Sequence, residues 1–139
     1  MKKAVSFLII VLAAWTASAA SPFSTDKNDD GRPDQWYEIV AGKIVKMSLD
    51  RNFDTVIDYV VRYDQAGLKL YEAGDYNYDG EMDDFYFFEA GKLIRQEIDS
   101  NFDSDIDIWV YMKDGIYIHR YEMDTDFDGI VDTEKDFSQ

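Results

Sequence analysis

The chain of 139 residues has no cysteine. That excludes a disulfide framework, thiolate metal sites, cysteine catalysis and a lipoprotein-type lipid anchor, each of which needs the thiol. It has one histidine, His119. A lone imidazole, with no second imidazole and no thiol to join it, leaves zinc coordination and triad catalysis without their parts. An exposed strand position is the expected place for it. No serine elbow and no phosphate-binding glycine loop occurs. Positive charge is scarce: 14 Lys and Arg stand against 29 Asp and Glu, a formal charge of −15. So acidic a surface argues against nucleic acid and against anionic membrane as partners. It suits a cation binder or an exported protein. Aromatic residues, in contrast, make up 16% of the chain. Disordered acidic chains are poor in rings, so a folded region is expected.

The N-terminus has a character of its own. Lys2 and Lys3 lead into an apolar run from Ala4 to Trp15, followed by Thr16-Ala17-Ser18-Ala19-Ala20. A basic start, a short apolar run and an Ala-x-Ala pattern describe an export signal over residues 1–19. The run is too short for a comfortable membrane span, and none is expected after cleavage. The protein is therefore expected to be exported, to the periplasm or the cell exterior. Loss of Lys2 and Lys3 takes the formal charge from −15 to −17. Residues 20–25 read as a flexible lead-in, and residues 136–139 as a frayed end. Residues 26–139 read as one domain, about 120 residues being enough for a single core.

That domain is built on a repeat. In Asp124-Thr125-Asp126-Phe127-Asp128-Gly129-Ile130-Val131-Asp132, acids stand at positions one, three, five and nine, and glycine at six. The same frame begins at Asp26, Asp50, Asp75 and Asp99, in steps of 24, 25, 24 and 25 residues, so the copy at Asp124 opens a partial fifth repeat. Such regularity marks a tandem repeat protein. Between successive loops lie two short segments rich in Val, Ile, Tyr, Phe and Trp, joined by a glycine turn. They run over residues 35–40 and 44–49, 59–63 and 68–73, 84–89 and 93–98, and 108–112 and 116–123. Each is too short for a typical helix and reads as a strand. The result is an all-β antiparallel meander of about eight strands, either a small barrel or a strongly twisted open sheet.

Register follows from turn length. A three-residue turn at Ala41-Gly42-Lys43 places Tyr37 and Ile39 on one face with Val45 and Met47. Extended along the chain, that face holds Val61, Tyr63, Leu70, Tyr86, Phe88, Ile94, Val110, Met112 and Ile118. The other face mixes charge with rings: Trp36, Glu38, Lys46, Arg62, Phe85, Phe87, Arg95, Trp109, Tyr111 and His119. Loops one, three and five carry Gly31, Gly80 and Gly129 at position six, where loops two and four carry Thr55 and Ser104. This alternation points to a larger unit of two hairpins.

The loop frame has a chemistry. Calcium takes six to eight oxygens at loose geometry, and acids at positions one, three and five of a tight loop converge on one point. Glycine at six allows the turn, seven gives a carbonyl, and nine adds a carboxylate. Asn28, Asn52, Asn77, Asn101 and Asp126 supply the third-position oxygen. Position eight is apolar in every copy, as Pro33, Ile57, Met82, Ile106 or Val131, which ties the loop to the sheet.

The start of the loop at Asp124 resembles an EF-hand loop. The full frame ending at Asp132 resembles thrombospondin type 3 repeats and the Asp-rich loops of integrin-type propeller blades. Loop plus hairpin in tandem is similar to uncharacterised exported bacterial repeat proteins. The resemblance implies calcium ligation by Asp26, Asn28, Asp30 and Asp34; by Asp75, Asn77, Asp79 and Asp83; and by Asp124, Asp126, Asp128 and Asp132. It extends to Asp50, Asn52, Asp54 and Asp58, and to Asp99, Asn101, Asp103 and Asp107, in the loops that lack the glycine. The twelfth position departs from the EF-hand, holding Tyr37, Val61, Tyr86, Val110 or Lys135 in place of glutamate, which implies affinities of roughly 0.1–1 mM.

Metal-free turns are the other reading, because Asp, Asn and Gly close turns through nearby amides. Electrostatics favours the cation, since in a meander the loops share one edge and sit roughly 10 Å apart, about a Debye length. Phe53, Tyr78, Phe102 and Phe127 recur at position four and are expected to stack across neighbouring loops. The function expected is that of a non-catalytic, calcium-binding β-repeat module at the cell exterior. A protein or glycan partner would meet its aromatic face. The alternatives are a carbohydrate-active or glycan-binding accessory protein and a metal-free scaffold.

Overall fold

The computed structural model describes residues 21–137. The leader expected at 1–19 lies outside the described residues. Ten strands follow in order: β1 (Ser21–Thr25), β2 (Gln35–Val40), β3 (Lys43–Leu49), β4 (Tyr59–Tyr63), β5 (Lys69–Gly74), β6 (Asp84–Glu89), β7 (Lys92–Ile98), β8 (Ile108–Lys113), β9 (Tyr117–Met123) and β10 (Thr133–Asp136). Each pairs antiparallel with its sequence neighbours in a single sheet of order β1 to β10. The sheet is open and does not close into a barrel. Among the described residues, no helix is long and apolar enough to cross a membrane.

The eight inner strands match the expected segments to within a residue or so. The two additional strands lie at the edges. Residues 20–25, expected as a flexible lead-in, are corrected: Ser21–Thr25 is a strand that pairs with β2. Phe23 opposes Tyr37, their ring centroids 6.0 Å apart. The expected frayed end is corrected in part. Asp136 pairs with Arg120 in β9, Phe137 N donates to the His119 carbonyl at 2.8 Å, and the Phe137 ring lies 6.0 Å from Tyr121. Both segments are short, but each meets a row of amides and carbonyls on a strand edge that otherwise has no partner.

Register holds at the loop end of each hairpin and departs from expectation at the turn end. The first turn has two residues, Ala41 and Gly42, with φ of 50° and 77°. Such a turn matches the natural twist of a hairpin. Alone it would pair Tyr37 with Lys46, but a bulge at Val45 restores Tyr37↔Met47. The same extra residue recurs at Leu70, Ile94 and His119, one in the second strand of every hairpin. These four bulges account for the misassigned positions. Val45, Leu70, Ile94 and His119 have no cross-strand partner in their hairpin, whereas the other residues of each expected face do share that face.

The sheet has almost no core. Among the described residues, only Val61 and Ala73 are fully buried hydrophobic side chains, each 1% exposed. They lie on opposite faces near the centre of the sheet. The other fully buried side chains are polar: Ser48 and eight aspartates, Asp34, Asp50, Asp58, Asp75, Asp83, Asp99, Asp107 and Asp124. All eight belong to the loops. The ordered centre of this protein is therefore its row of loops.

Candidate metal centres

In a meander, hairpin turns occupy one edge of the sheet and the remaining connections the other. The five acidic loops are those remaining connections, so they stand side by side. They also touch directly. The first-position amide of each loop donates to the ninth-position carbonyl of the loop before it: Asp50 to Asp34, Asp75 to Asp58, Asp99 to Asp83 and Asp124 to Asp107, each at 2.8 Å.

Within a loop, side chains replace the hydrogen bonds that a strand would make. The first-position carboxylate accepts from the sixth-position amide in all five copies, at 2.7–2.8 Å. In loops two, three and four it also accepts from the fourth, at 2.6–2.7 Å. The ninth-position carboxylate accepts from the second-position amide in every copy, Arg51 N to Asp58 at 2.5 Å being the shortest. The fifth-position carboxylate accepts from the seventh, at 2.8–3.0 Å. Carboxylates one and nine are thus drawn inward and mostly buried, Asp26 at the first position of loop one being half-buried, while five stays exposed. Asp132, at the open end of the row, is the exposed exception among the ninth positions.

Convergence follows. Carboxylate oxygens of Asp26, Asp30 and Asp34 come within 4.8 Å of one another, as do those of Asp50, Asp54 and Asp58 and of Asp75, Asp79 and Asp83. In loop five the group is Asp124, Asp126 and Asp132, with Asp128 beside it. Asp99, Asp103 and Asp107 share the hydrogen-bond pattern but do not form such a group. The third-position Asn28, Asn52, Asn77 and Asn101 lie exposed or half-exposed. Each side-chain oxygen accepts from the fifth-position amide, and each amide group donates to the fifth-position carboxylate. These side-chain amides soften the charge of the fifth position. Asp126 has no such group to offer. The negative charge of Asp128 beside it pushes its carboxyl above the usual range. Hydrogen bonds pull two other loop carboxyls below the usual range: from Glu81 N for Asp79 in loop three, and from the Thr125 hydroxyl for Asp132 in loop five.

The donor set is made of hard oxygens without nitrogen or sulfur, which suits calcium or magnesium and disfavours softer transition metals. One oxygen singles out loop two. Asp58 is 0% exposed, and its Oδ1 has no hydrogen-bond partner although Oδ2 has two. A buried carboxylate oxygen with no donor is costly, and a cation would satisfy it. Asp26 Oδ1 is orphaned in the same way in loop one.

Position four is corrected. Phe53, Tyr78, Phe102 and Phe127 do not stack on one another; they are 44–48% exposed and make no mutual ring contact among those found in the described residues. Their common feature is a positive φ of 59–64°. Position six explains another pattern. Gly31, Gly80 and Gly129 take φ of 85–96°, and Thr55 and Ser104 are forced to 81° and 77°. A β-branched residue is strained there. Thr55→Gly is therefore expected to stabilise the protein by about 1 kcal/mol, read as a higher denaturant midpoint; a loss of stability would contradict the strain. Sequence reasoning missed one set of donors. The Ser100 and Thr125 hydroxyls at position two reach Asp107 and Asp132 at 2.8 and 2.7 Å. A hydroxyl residue at position two, where the other loops hold Lys27, Arg51 and Tyr76, was the available signal.

The mixed face carries a ladder of cations over rings: Arg62 on Tyr71 at 5.3 Å, Arg95 on Phe87 at 4.3 Å and Arg120 on Tyr111 at 5.0 Å. Guanidinium groups thus cover three rings of this face, which takes those three from the surface on which a sugar could stack.

No protein-family model matches the chain, and no curated protein is similar to it. Among solved structures, it is similar to a chain in the crystal structure of accessory secretory proteins 1, 2 and 3 of Streptococcus pneumoniae. The TM-score is 0.52 at 15% identity, over 81% of this chain and 20% of that one. This chain thus spans about a fifth of the length of its structural neighbour. At that identity the likeness is one of fold.

Proposed function

We propose that this protein is an exported, non-catalytic calcium-binding module whose row of loops is held together by bound ions. The observation that carries the reading is the convergence of three carboxylates within 4.8 Å in four loops. Calcium suits them better than magnesium, because loops closed by side chains adapt to calcium's variable coordination, whereas magnesium demands near-ideal octahedra. The basic, apolar and small-residue pattern of residues 1–19 supports export. Repetition of near-equivalent carboxylates supports a structural role over catalysis, which needs a pair of unlike acids.

A metal-free scaffold is the second reading, favoured by the amides that already occupy carboxylates one, five and nine. The triple variant Asp124→Asn, Asp126→Asn, Asp128→Asn separates the two, since asparagine keeps an acceptor oxygen and removes charge. Under the calcium reading, its thermal stability in millimolar calcium falls below that of the parent. Under the scaffold reading, relief of repulsion leaves stability unchanged or higher.

A further inference from the structure

One face of the sheet is apolar, half-exposed and uncovered. Its middle row runs Tyr37, Met47, Val61, Tyr86, Val110 and Tyr121 across successive strands, with Glu72 and Gln96 between them. A sheet with one apolar face needs a second layer, and this one has only two buried hydrophobic side chains among the described residues. The opposite face already carries ion pairs and cation–ring stacks.

We propose that the second layer is another copy of this chain, packed face to face as a two-fold symmetric sandwich. Area favours this occupant. Ten strands about 4.8 Å apart and about 20 Å long offer roughly 900 Å² per copy, or about 1,800 Å² in total. That lies within the range of roughly 1,200–2,000 Å² typical of stable interfaces. A self-complementary patch is what an isologous dimer requires. The charged groups on this face have partners within the chain: Glu72 pairs with Lys69 at 2.5 Å, Asp84 accepts from Tyr86 and Gln96 at 2.7 and 2.9 Å, and Lys135, at the β10 edge, stacks over Phe137 at 4.9 Å.

Charge also selects the orientation. The loop edge is strongly acidic, whereas the turn edge is close to balance, with Lys43, Lys69, Lys92 and Lys113 against Asp64, Glu89 and Asp114. A two-fold axis along the strands would bring two acidic rows together, about one Debye length apart. An axis across the strands sends them to opposite ends, each over the lysine-bearing turns of the other copy. Each strand then crosses its own counterpart, and the middle row meets itself.

Because the chain has no cysteine, single thiols report this directly. Val110→Cys probes the middle row, with Met47→Cys as a second probe of it, and Arg62→Cys probes the opposite face. Sedimentation velocity of the purified protein is expected to give twice the chain mass, with an unfolding temperature that rises with protein concentration. A bis-maleimide spanning roughly 10 Å, the spacing of stacked sheets, is expected to join the two middle-row variants and not Arg62→Cys. Monomeric sedimentation at all concentrations overturns the proposal, as does cross-linking through Arg62→Cys alone. A monomer captured by some other protein through this face overturns it too.

Discussion

Raising calcium from chelated to 10 mM is expected to lift the unfolding temperature of this protein by roughly 20 °C or more. Four loops converge. With affinities of roughly 0.1–1 mM, each site at that concentration is ten- to a hundredfold above its dissociation constant, worth about 1.4–2.7 kcal/mol. Four together supply roughly 6–11 kcal/mol, and a domain of this size gains about 4 °C for each kcal/mol. Set against this, the fully buried apolar core is small. Two fully buried hydrophobic side chains contribute only a few kcal/mol by area. The loops are also joined to one another through 2.8 Å backbone bonds from position one to position nine, so ordering one loop helps to order the next. Magnesium at the same concentration is expected to shift the transition much less. Differential scanning calorimetry in chelator, calcium and magnesium measures all three. Equal shifts for the two ions would point to screening of surface charge.

The second large effect is expected at Asp58. This residue is wholly buried between two loops. Its amide donates to the Leu49 carbonyl, its carbonyl accepts from Asp75 N, and its Oδ2 accepts from Arg51 N and Asn52 N. Asp58→Ala leaves two amides without an acceptor, at about 1–3 kcal/mol each. A loss of roughly 3–5 kcal/mol in denaturant unfolding is expected even in chelator. Asp54→Ala, in the same loop but exposed, should cost far less. Asp58→Asn divides the two roles of the residue. It keeps an acceptor for the amides, so in chelator it should be nearly neutral, whereas in calcium it should lose most of the ion's stabilisation at that loop. Equal losses for Asp58→Asn in chelator and in calcium would show that the carboxylate acts only as a turn former.

Much of the molecule was legible before its coordinates, because the loop frame repeats and the strands are marked by β-branched and aromatic residues. Residues 35–40, 59–63 and 84–89 are strands at the expected limits. What the sequence hid was mostly backbone. A bulge such as that at Val45 has no composition of its own, and it moves pairing by one residue near the turn only. The edge strands β1 and β10 are short and carry Pro22 or charge, so they read as tails until a neighbouring edge recruits them. Barrel and open sheet share one alternation pattern, which is why periodicity did not decide between them. In the loops, the frame named the converging residues but not which loop converges. Asp99, Asp103 and Asp107 have the same spacing as Asp50, Asp54 and Asp58, and differ in the last ångström of placement. The position-four rings were misread because the backbone there takes a positive φ, shared by Asp29 in loop one, which a sequence does not display and which leaves the rings apart.

Isothermal titration of the purified protein with calcium tests the central claim most directly. The expected result is heat that saturates in the millimolar range or below, with a stoichiometry near four and an accompanying rise in unfolding temperature. No heat and no thermal shift at several millimolar calcium would contradict it, and would leave the acidic row as a set of turns closed by their own amides.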